Sequence, residues 1–284
     1  MYTIRPDKPV NPVLLDILSG IQAVAGALGY AYLLVGATAR DMLMTHVFGL
    51  ESRRATHDVD FAIALDDWPR FDALKAALVA TGSFAPAADR VHLLHYRPAE
   101  YGHAFPVDLI PFGGVEQEAH RIAWPPDMNV VMSVAGYAEA LASALEVDAG
   151  NGLIVRVVSI PALAALKLLA WDERGLLDNK DAQDLLFLLQ HYHEAGNEVR
   201  LYDDAIDLLQ AAAFDLSLAG AALLGRDARV ILHDDSLRAL LAIQADPRKR
   251  DRLVVHATRY GGAESDTAAR LLDQFALGLR ATAP

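Results

Sequence analysis

In Thr56-His57-Asp58-Val59-Asp60-Phe61-Ala62-Ile63, two acidic side chains open an apolar run. Side chains on a strand alternate between faces, so the carboxylates of Asp58 and Asp60 share a side. Such a pair is unfavourable to bury without a cation or a partner. A second strand-like run, Ala104-Phe105-Pro106-Val107-Asp108-Leu109-Ile110, carries one acidic residue in an apolar setting. Three carboxylates converging from two strands make a hard, oxygen-rich site for a divalent cation such as Mg²⁺. Plainer accounts stand beside this one. Asp60 can turn outward or pair with Arg53 or Arg54, and a lone aspartate near a strand end, as Asp108 is, is common.

The flanking sequence reads as alternating helices and strands. Val13 to Leu28 predicts an amphipathic helix that Gly29 can end. Tyr32 to Val35 predicts a short buried strand, and Thr38 to Phe48 has helical composition. A strand is expected over Val59 to Leu65 and a helix over Trp68 to Ala80. Asp66 or Asp67 can cap that helix, and Pro69 suits its first turn. Val91 to Tyr96 and Phe105 to Ile110 predict two more strands, and Trp124-Pro125-Pro126 marks a loop. The order fits a small α/β or α+β domain with a mixed sheet. Leu153 to Val158 is a β-rich run that either completes this domain or forms a local hairpin.

From about Tyr137 the pattern is mostly helical, with that run as the exception. Helices are expected over Pro161 to Trp171 with Ser159 as cap, then over Asn179 to Tyr192 after a break at Gly175. Others are expected over Asp203 to Phe214, Ser236 to Ile243 and Ser265 to Leu279. The boundaries that follow are 1–158 for the α/β domain and 159–284 for the helical one.

Composition narrows the function classes. The chain has 284 residues, enough for one or two domains with a substantial core. Its mean hydropathy is +0.20, yet charges interrupt every apolar stretch before spanning length, so no membrane partner is expected. Met1 to Asn11 hold both charges and two prolines without an apolar core, unlike a signal peptide. Zero cysteines exclude disulfides and thiolate metal sites. A soluble cytoplasmic protein is the expectation. The net charge of −12 opposes passive binding to polyanions, so a nucleic-acid substrate needs a local basic patch. Arg248-Lys249-Arg250, near Arg252, is the best such patch in the second half. It reads as a solvated loop or, less simply, as an RNA-backbone contact. Nothing in the sequence points to an oligomeric state.

Three further constellations carry chemistry. Gly36-Ala37-Thr38-Ala39-Arg40-Asp41 lies between a strand and a helix, where Gly36 permits a sharp turn and the following amides can face a phosphate. Its glycine spacing is neither a Rossmann nor a Walker pattern, and an ordinary capped turn is the simpler account. Lys167 sits in an apolar helix, where it either snorkels or reaches a phosphate. Asp181 and Asp184, three apart, share a helix face, and Asp184 can pair with Lys167 as a structural bridge or to position its ammonium. The histidines form no metal set: His92 and His95, three apart on a strand, face opposite ways. Trp68, Trp124 and Trp171 read as core or interface residues.

With a nucleoside triphosphate bound, a cation on paired carboxylates is the chemistry of nucleotidyl transfer. The chain resembles the AbiEii-type family within the minimal nucleotidyltransferase fold. The resemblance rests on Leu34-Val35-Gly36-Ala37-Thr38-Ala39-Arg40-Asp41, then Arg54-Ala55-Thr56-His57-Asp58-Val59-Asp60-Phe61, then Leu166-Lys167-Leu168-Leu169-Ala170 with Arg174, and Lys180-Asp181-Ala182-Gln183-Asp184-Leu185. It covers roughly the first two thirds of the chain. It implies an α+β fold, a minimal nucleotidyltransferase-like mixed sheet with flanking helices, followed by a mostly helical domain that closes the active-site cleft. It further implies a glycine turn at Gly36 with Ala37 and Thr38 against the triphosphate, and Mg²⁺ on Asp58 and Asp60. Lys167 falls on the phosphate-contacting lysine and Asp184 on the later aspartate, with Asp181 beside it. Asp108 is the least aligned. Where the family has a second glycine or serine in its turn, this chain has Ala37, so that hydroxyl contact is missing and Thr38 is the compensating candidate.

The activity so implied is attack of an acceptor hydroxyl on the α-phosphorus of an NTP, with pyrophosphate release. Asp58, Asp60 and Asp108 would bind one or two Mg²⁺ ions, or Asp108 would act as general base. Lys167 and Arg53 or Arg54 would neutralise phosphates. The family is similar to toxins of toxin–antitoxin pairs, which makes a tRNA 3′ end the acceptor and an antitoxin protein the partner to consider. Two alternatives stay open: transfer to a small molecule or protein, and a catalytically silent nucleotide-binding or protein-interaction scaffold.

Overall fold

The computed structural model describes residues 1–52, 58–98, 102–174, 179–259, 261 and 263–281. The chain divides into two compact units, Met1–Val158 and Ser159–Pro284. The first is a mixed α+β sheet with flanking helices and the second is mostly helical, the class the sequence predicts.

In the first unit the chain runs β1 (Tyr2–Thr3), α1 (Pro12–Leu28), β2 (Tyr32–Val35), α2 (Gly36–Asp41), a π-helical turn (Met42–Val47), β3 (Val59–Leu65) and α3 (Trp68–Ala80). It continues through β4 (Phe84–Pro86), β5 (Leu93–Tyr96), β6 (Phe105–Gly113), β7 (Arg121–Ala123), β8 (Val131–Ser133), α4 (Tyr137–Ala142), β9 (Leu145–Asp148) and β10 (Ile154–Val157). Among the described residues, eight strands form one sheet in the order β1-β9-β10-β2-β3-β6-β5-β4, and β7 pairs with β8 apart from it. The central strand β3 runs antiparallel to β2 and parallel to β6. Leu153 to Val158 resolves both ways at once: β10 forms a hairpin with β9 and also joins the sheet beside β2.

Local chemistry sets the helix ends. Asn11 accepts from the Val13 amide at 2.9 Å, Pro12 opens α1 without an amide to satisfy, and Gly29 closes it in the left-handed region. Of the two candidate caps for α3, Asp67 is the one used, accepting from the Arg70 amide. Phe61, Ala62 and Ile63 of β3 are fully buried, as are Leu18 and Ile21 of α1 and Phe71, Leu74 and Leu78 of α3. Burying each large side chain contributes about 1.5–3 kcal/mol, which makes β3 a rigid base for what stands at its start.

The second unit contains α5 (Ile160–Arg174), α6 (Lys180–His191), a π-helical stretch (His193–Asn197), α7 (Glu198–Tyr202), α8 (Ile206–Ala211), α9 (Leu216–Ile231), α10 (Asp234–Ala245), α11 (Pro247–Thr258) and α12 (Ser265–Arg280). Neither α9 nor α11 is among the helices the sequence predicts. In α9, Gly220 and Gly225 are not breakers but contact surfaces. A Cβ on Gly225 would overlap the Phe275 carbonyl oxygen, and one on Gly278 of α12 would overlap that of Ala222 and lie 2.7 Å from the Arg226 amide. The two helices therefore cross backbone against backbone. The run Arg248-Lys249-Arg250 is not a loop. It forms the first turn of α11, capped by Asp246, with Lys249 paired to Asp172 at 2.7 Å and Arg250 to Asp273 at 2.6 Å.

No helix among the described residues is long and apolar enough to cross a membrane.

Candidate active site

The three aspartates come together because of strand register. Asp60 lies in β3, and its partner position on the parallel neighbour β6 is Asp108. Parallel neighbours at matched register project side chains to the same face, and Asp58, two residues before Asp60, points the same way. Asp58, Asp60 and Asp108 each offer a carboxylate oxygen within 4.8 Å of the others. Asp58 is exposed, and the other two are partly buried. This donor set, all hard oxygens at close spacing, fits a divalent cation of the Mg²⁺ type.

The turn after β2 closes against this cluster. Val35 pairs with Asp60, so the next residue comes over the Asp60 side chain. Gly36 sits there at φ +70°, and a Cβ would overlap the Asp60 carboxylate. Glycine is required twice, by its backbone angle and by this close approach. Ala37 and Thr38 follow, both buried in α2. The Thr38 hydroxyl donates to the Asp58 carbonyl at 2.8 Å. Its proton thus ties the turn to the acidic strand and is not aimed outward, so any phosphate contact by Thr38 would come from its backbone amide. Arg40, 1% exposed, donates through Nε and Nη2 to Asp41 Oδ1 at 2.8 and 2.6 Å.

One residue of the neighbourhood carries no sequence signal. His92, just before β5, places Nε2 3.5 Å from Asp108 Oδ1. Burial pushes its imidazole below the usual range, against the pull of Asp108. Only the pairing of Leu93 with Asp108 brings it there, and that is a tertiary fact. Arg53, Arg54 and His57 lie outside the described residues.

Lys167, Asp181 and Asp184 form a separate cluster in the second unit. Nζ of Lys167 lies 2.9 Å from Asp181 Oδ1 and 2.7 Å from Asp184 Oδ2. The pairing expected with Asp184 is present, and Asp181 shares it. Nε of Arg174 donates to Asp181 Oδ2 at 2.9 Å. Burial alone would raise Asp181, but Lys167 and Arg174 outweigh it and hold the carboxyl at about 2. Burial likewise opposes charge on Lys167, and Asp184 and Asp181 overcome it to raise the ammonium above its ordinary value. An ammonium has three donors, and these contacts take two.

The family model described as "Nucleotidyl transferase AbiEii toxin, Type IV TA system" matches residues 16–267. The chain belongs to this family. It is by that membership a nucleotidyltransferase, in a family of toxins from type IV toxin–antitoxin systems. Among curated proteins, none matches this AbiEii chain significantly. Solved structures similar to it include an antigenic nucleotidyltransferase-like protein from Paracoccidioides brasiliensis, at 16% identity, covering 74% of this chain and 93% of that one, with a TM-score of 0.44. Another is ANT(2'')-Ia in complex with adenylyl-2''-tobramycin, at 19% identity, 70% and 95% coverage and a TM-score of 0.37. A third is the Thermotoga maritima CCA-adding enzyme complexed with tRNA, at 12% identity, 96% and 82% coverage and a TM-score of 0.28.

Proposed function

We propose that this AbiEii family member transfers a nucleoside monophosphate from an NTP to an acceptor hydroxyl and releases pyrophosphate, using Mg²⁺. The observation that carries the reading is the convergence of Asp58, Asp60 and Asp108 within 4.8 Å beneath the Gly36 turn. The three carboxylates would hold one or two cations. When bound, the metal supplies Lewis-acid stabilisation of charge on the phosphates. Gly36 lets the backbone of Ala37 and Thr38 approach the triphosphate, and the Thr38 bond to the Asp58 carbonyl keeps that turn in register with the acidic strand. The acceptor oxygen attacks the α-phosphorus, the bond from that phosphorus to the pyrophosphate oxygen breaks, and the hydroxyl proton passes to water, or to a carboxylate oxygen of Asp108 where that residue holds no cation. On the family resemblance, Lys167 carries the nucleotide phosphates, with Asp181 and Asp184 fixing its ammonium. Arg53 and Arg54 are assigned the same charge on the same ground, and the helical domain the closing of the cleft.

A tRNA 3′ end is the acceptor to test first, an antitoxin protein is the partner the family context implies, and a cytoplasmic setting supplies NTP and RNA together. The test is label transfer from each α-³²P NTP with Mg²⁺ and total small RNA, beside Asp58→Ala. The expected loss in the variant is at least about 10³-fold, since the cation's share of the barrier is several kcal/mol. Undiminished transfer by Asp58→Ala would refute the reading. Transfer only to small molecules or protein would redirect the acceptor, and NTP binding without pyrophosphate release would favour the silent scaffold.

A further inference from the structure

His92 is held in place by its backbone and by its ring. Its carbonyl accepts from the Leu109 amide at 2.9 Å, which fixes its backbone beside β6. Leu93, the next residue, pairs with Asp108 across the β5–β6 ladder. Two neighbours of the imidazole bear on the cluster, while Arg90, Lys75 and Asp89 act on it by charge. One is the indole of Trp124, at 5.0 Å between ring centroids and 44° between planes. The other is Oδ1 of Asp108, 3.5 Å from Nε2, an oxygen shielded from solvent. Trp124 is itself wedged against Trp68 and Phe71, with centroids 5.6 and 5.9 Å away, and is 6% exposed. An aromatic wall thus backs the ring and leaves Nε2 turned to the carboxylate.

Ligating carboxylates are held by outer partners that fix which oxygen faces the metal, and removing such a partner weakens metal binding or activity by about 10- to 100-fold. We infer that His92 is a positioning residue for the cation site: its Nε2, 3.5 Å from Oδ1 of Asp108, closes to donate to that oxygen when a cation binds and so sets the carboxylate toward Asp58 and Asp60. This rests on the cation-site reading above. His92 touches neither the cation nor the reacting atoms in this account. It acts through Asp108, so its effect belongs to metal affinity more than to turnover at saturating metal.

The experiment is a titration of the full chain with Mn²⁺ alone, free metal being read by its EPR signal. The proteins are wild type, an Asp58→Ala/Asp60→Ala double variant, His92→Ala, His92→Gln and His92→Asn, each with a thermal melt. Glutamine carries an amide N–H at the reach of Nε2, and asparagine at the reach of Nδ1. The expected result is a 10- to 100-fold weaker Mn²⁺ affinity in His92→Ala and His92→Asn, with His92→Gln within about threefold of wild type. At saturating Mg²⁺ the turnover of His92→Ala should recover most of the wild-type value. Affinity within twofold of wild type in His92→Ala would overturn the inference. So would equal losses in the glutamine and asparagine variants, a comparison that still decides if His92→Ala melts early. Wild type that binds no better than the double variant would remove the cation site itself, and the inference with it.

Discussion

Aspartates cluster in both units, and the two clusters are built on opposite plans. In the sheet unit, Asp58, Asp60 and Asp108 bring three like charges within 4.8 Å from two strands. In the helical unit, Asp181 and Asp184 share one face of α6 and enclose Lys167, with Arg174 on the outer side. The helical cluster contains its own counter-charges and is deeply buried, Asp184 at 1% exposure. The sheet cluster is more open, and under the proposed reading its counter-charge comes from outside. Two acidic pairs that look alike in the sequence thus differ in what completes them. The glycines repeat the contrast. Gly36 makes room for a carboxylate, whereas Gly225 and Gly278 make room for another helix.

The widest difference should appear on removing the internal cation. Lys167→Met leaves Asp181 and Asp184 buried without it and should destabilise the protein by about 3–5 kcal/mol in urea unfolding. Adding Asp181→Asn and Asp184→Asn should recover much of that loss; no recovery would mean the lysine acts by packing alone. Next, Gly36→Ala should lower transfer about 10²-fold, because its Cβ displaces the Asp60 carboxylate. Gly278→Ala is its mirror. It should lose up to about 3 kcal/mol of stability from overpacking against the Ala222 carbonyl, with folded molecules keeping their turnover. Equal effects of the two alanines on turnover would erase the distinction drawn between the units.

The smallest effect is a pH dependence. Asp181 is held at about 2 in the folded chain, against about 3.9 in an unfolded one. A depressed carboxyl contributes stability that is complete above the unfolded value and lost as pH falls through the folded one. Wild type should therefore lose about 2 kcal/mol of unfolding free energy between pH 5 and pH 2 through this group. The slope over that range should be shallower in Asp181→Asn. Equal slopes would show that the helical cluster does not hold Asp181 down.

Much of the sheet unit is legible in the sequence because its signals are local. Tyr32–Val35, Val59–Leu65 and Trp68–Ala80 are predicted at their observed ends, each bounded by a glycine, a proline or a capping aspartate. The site is legible in part for the same reason, since Asp58 and Asp60 are neighbours on one strand. Their meeting with Asp108 depends on which strands pair, and His92 depends on a third strand beside those two. In the helical unit, α9 carries Gly220 and Gly225, residues of low helix propensity whose role is close contact with other elements, which only the fold reveals. The first turn of α11 is hidden because Lys249 and Arg250 read as solvated charges when both have acidic partners in other helices.

The parallel pairing of β3 with β6 holds through seven matched positions, from Val59 with Val107 to Leu65 with Gly113. A one-residue slip would turn Asp108 to the opposite face from Asp60. Away from the turn that carries His92, the loops between these strands can therefore lengthen or shorten without shifting the three aspartates. One residue inserted or deleted within Val59–Leu65 or Phe105–Gly113 would leave a well-formed sheet and no site.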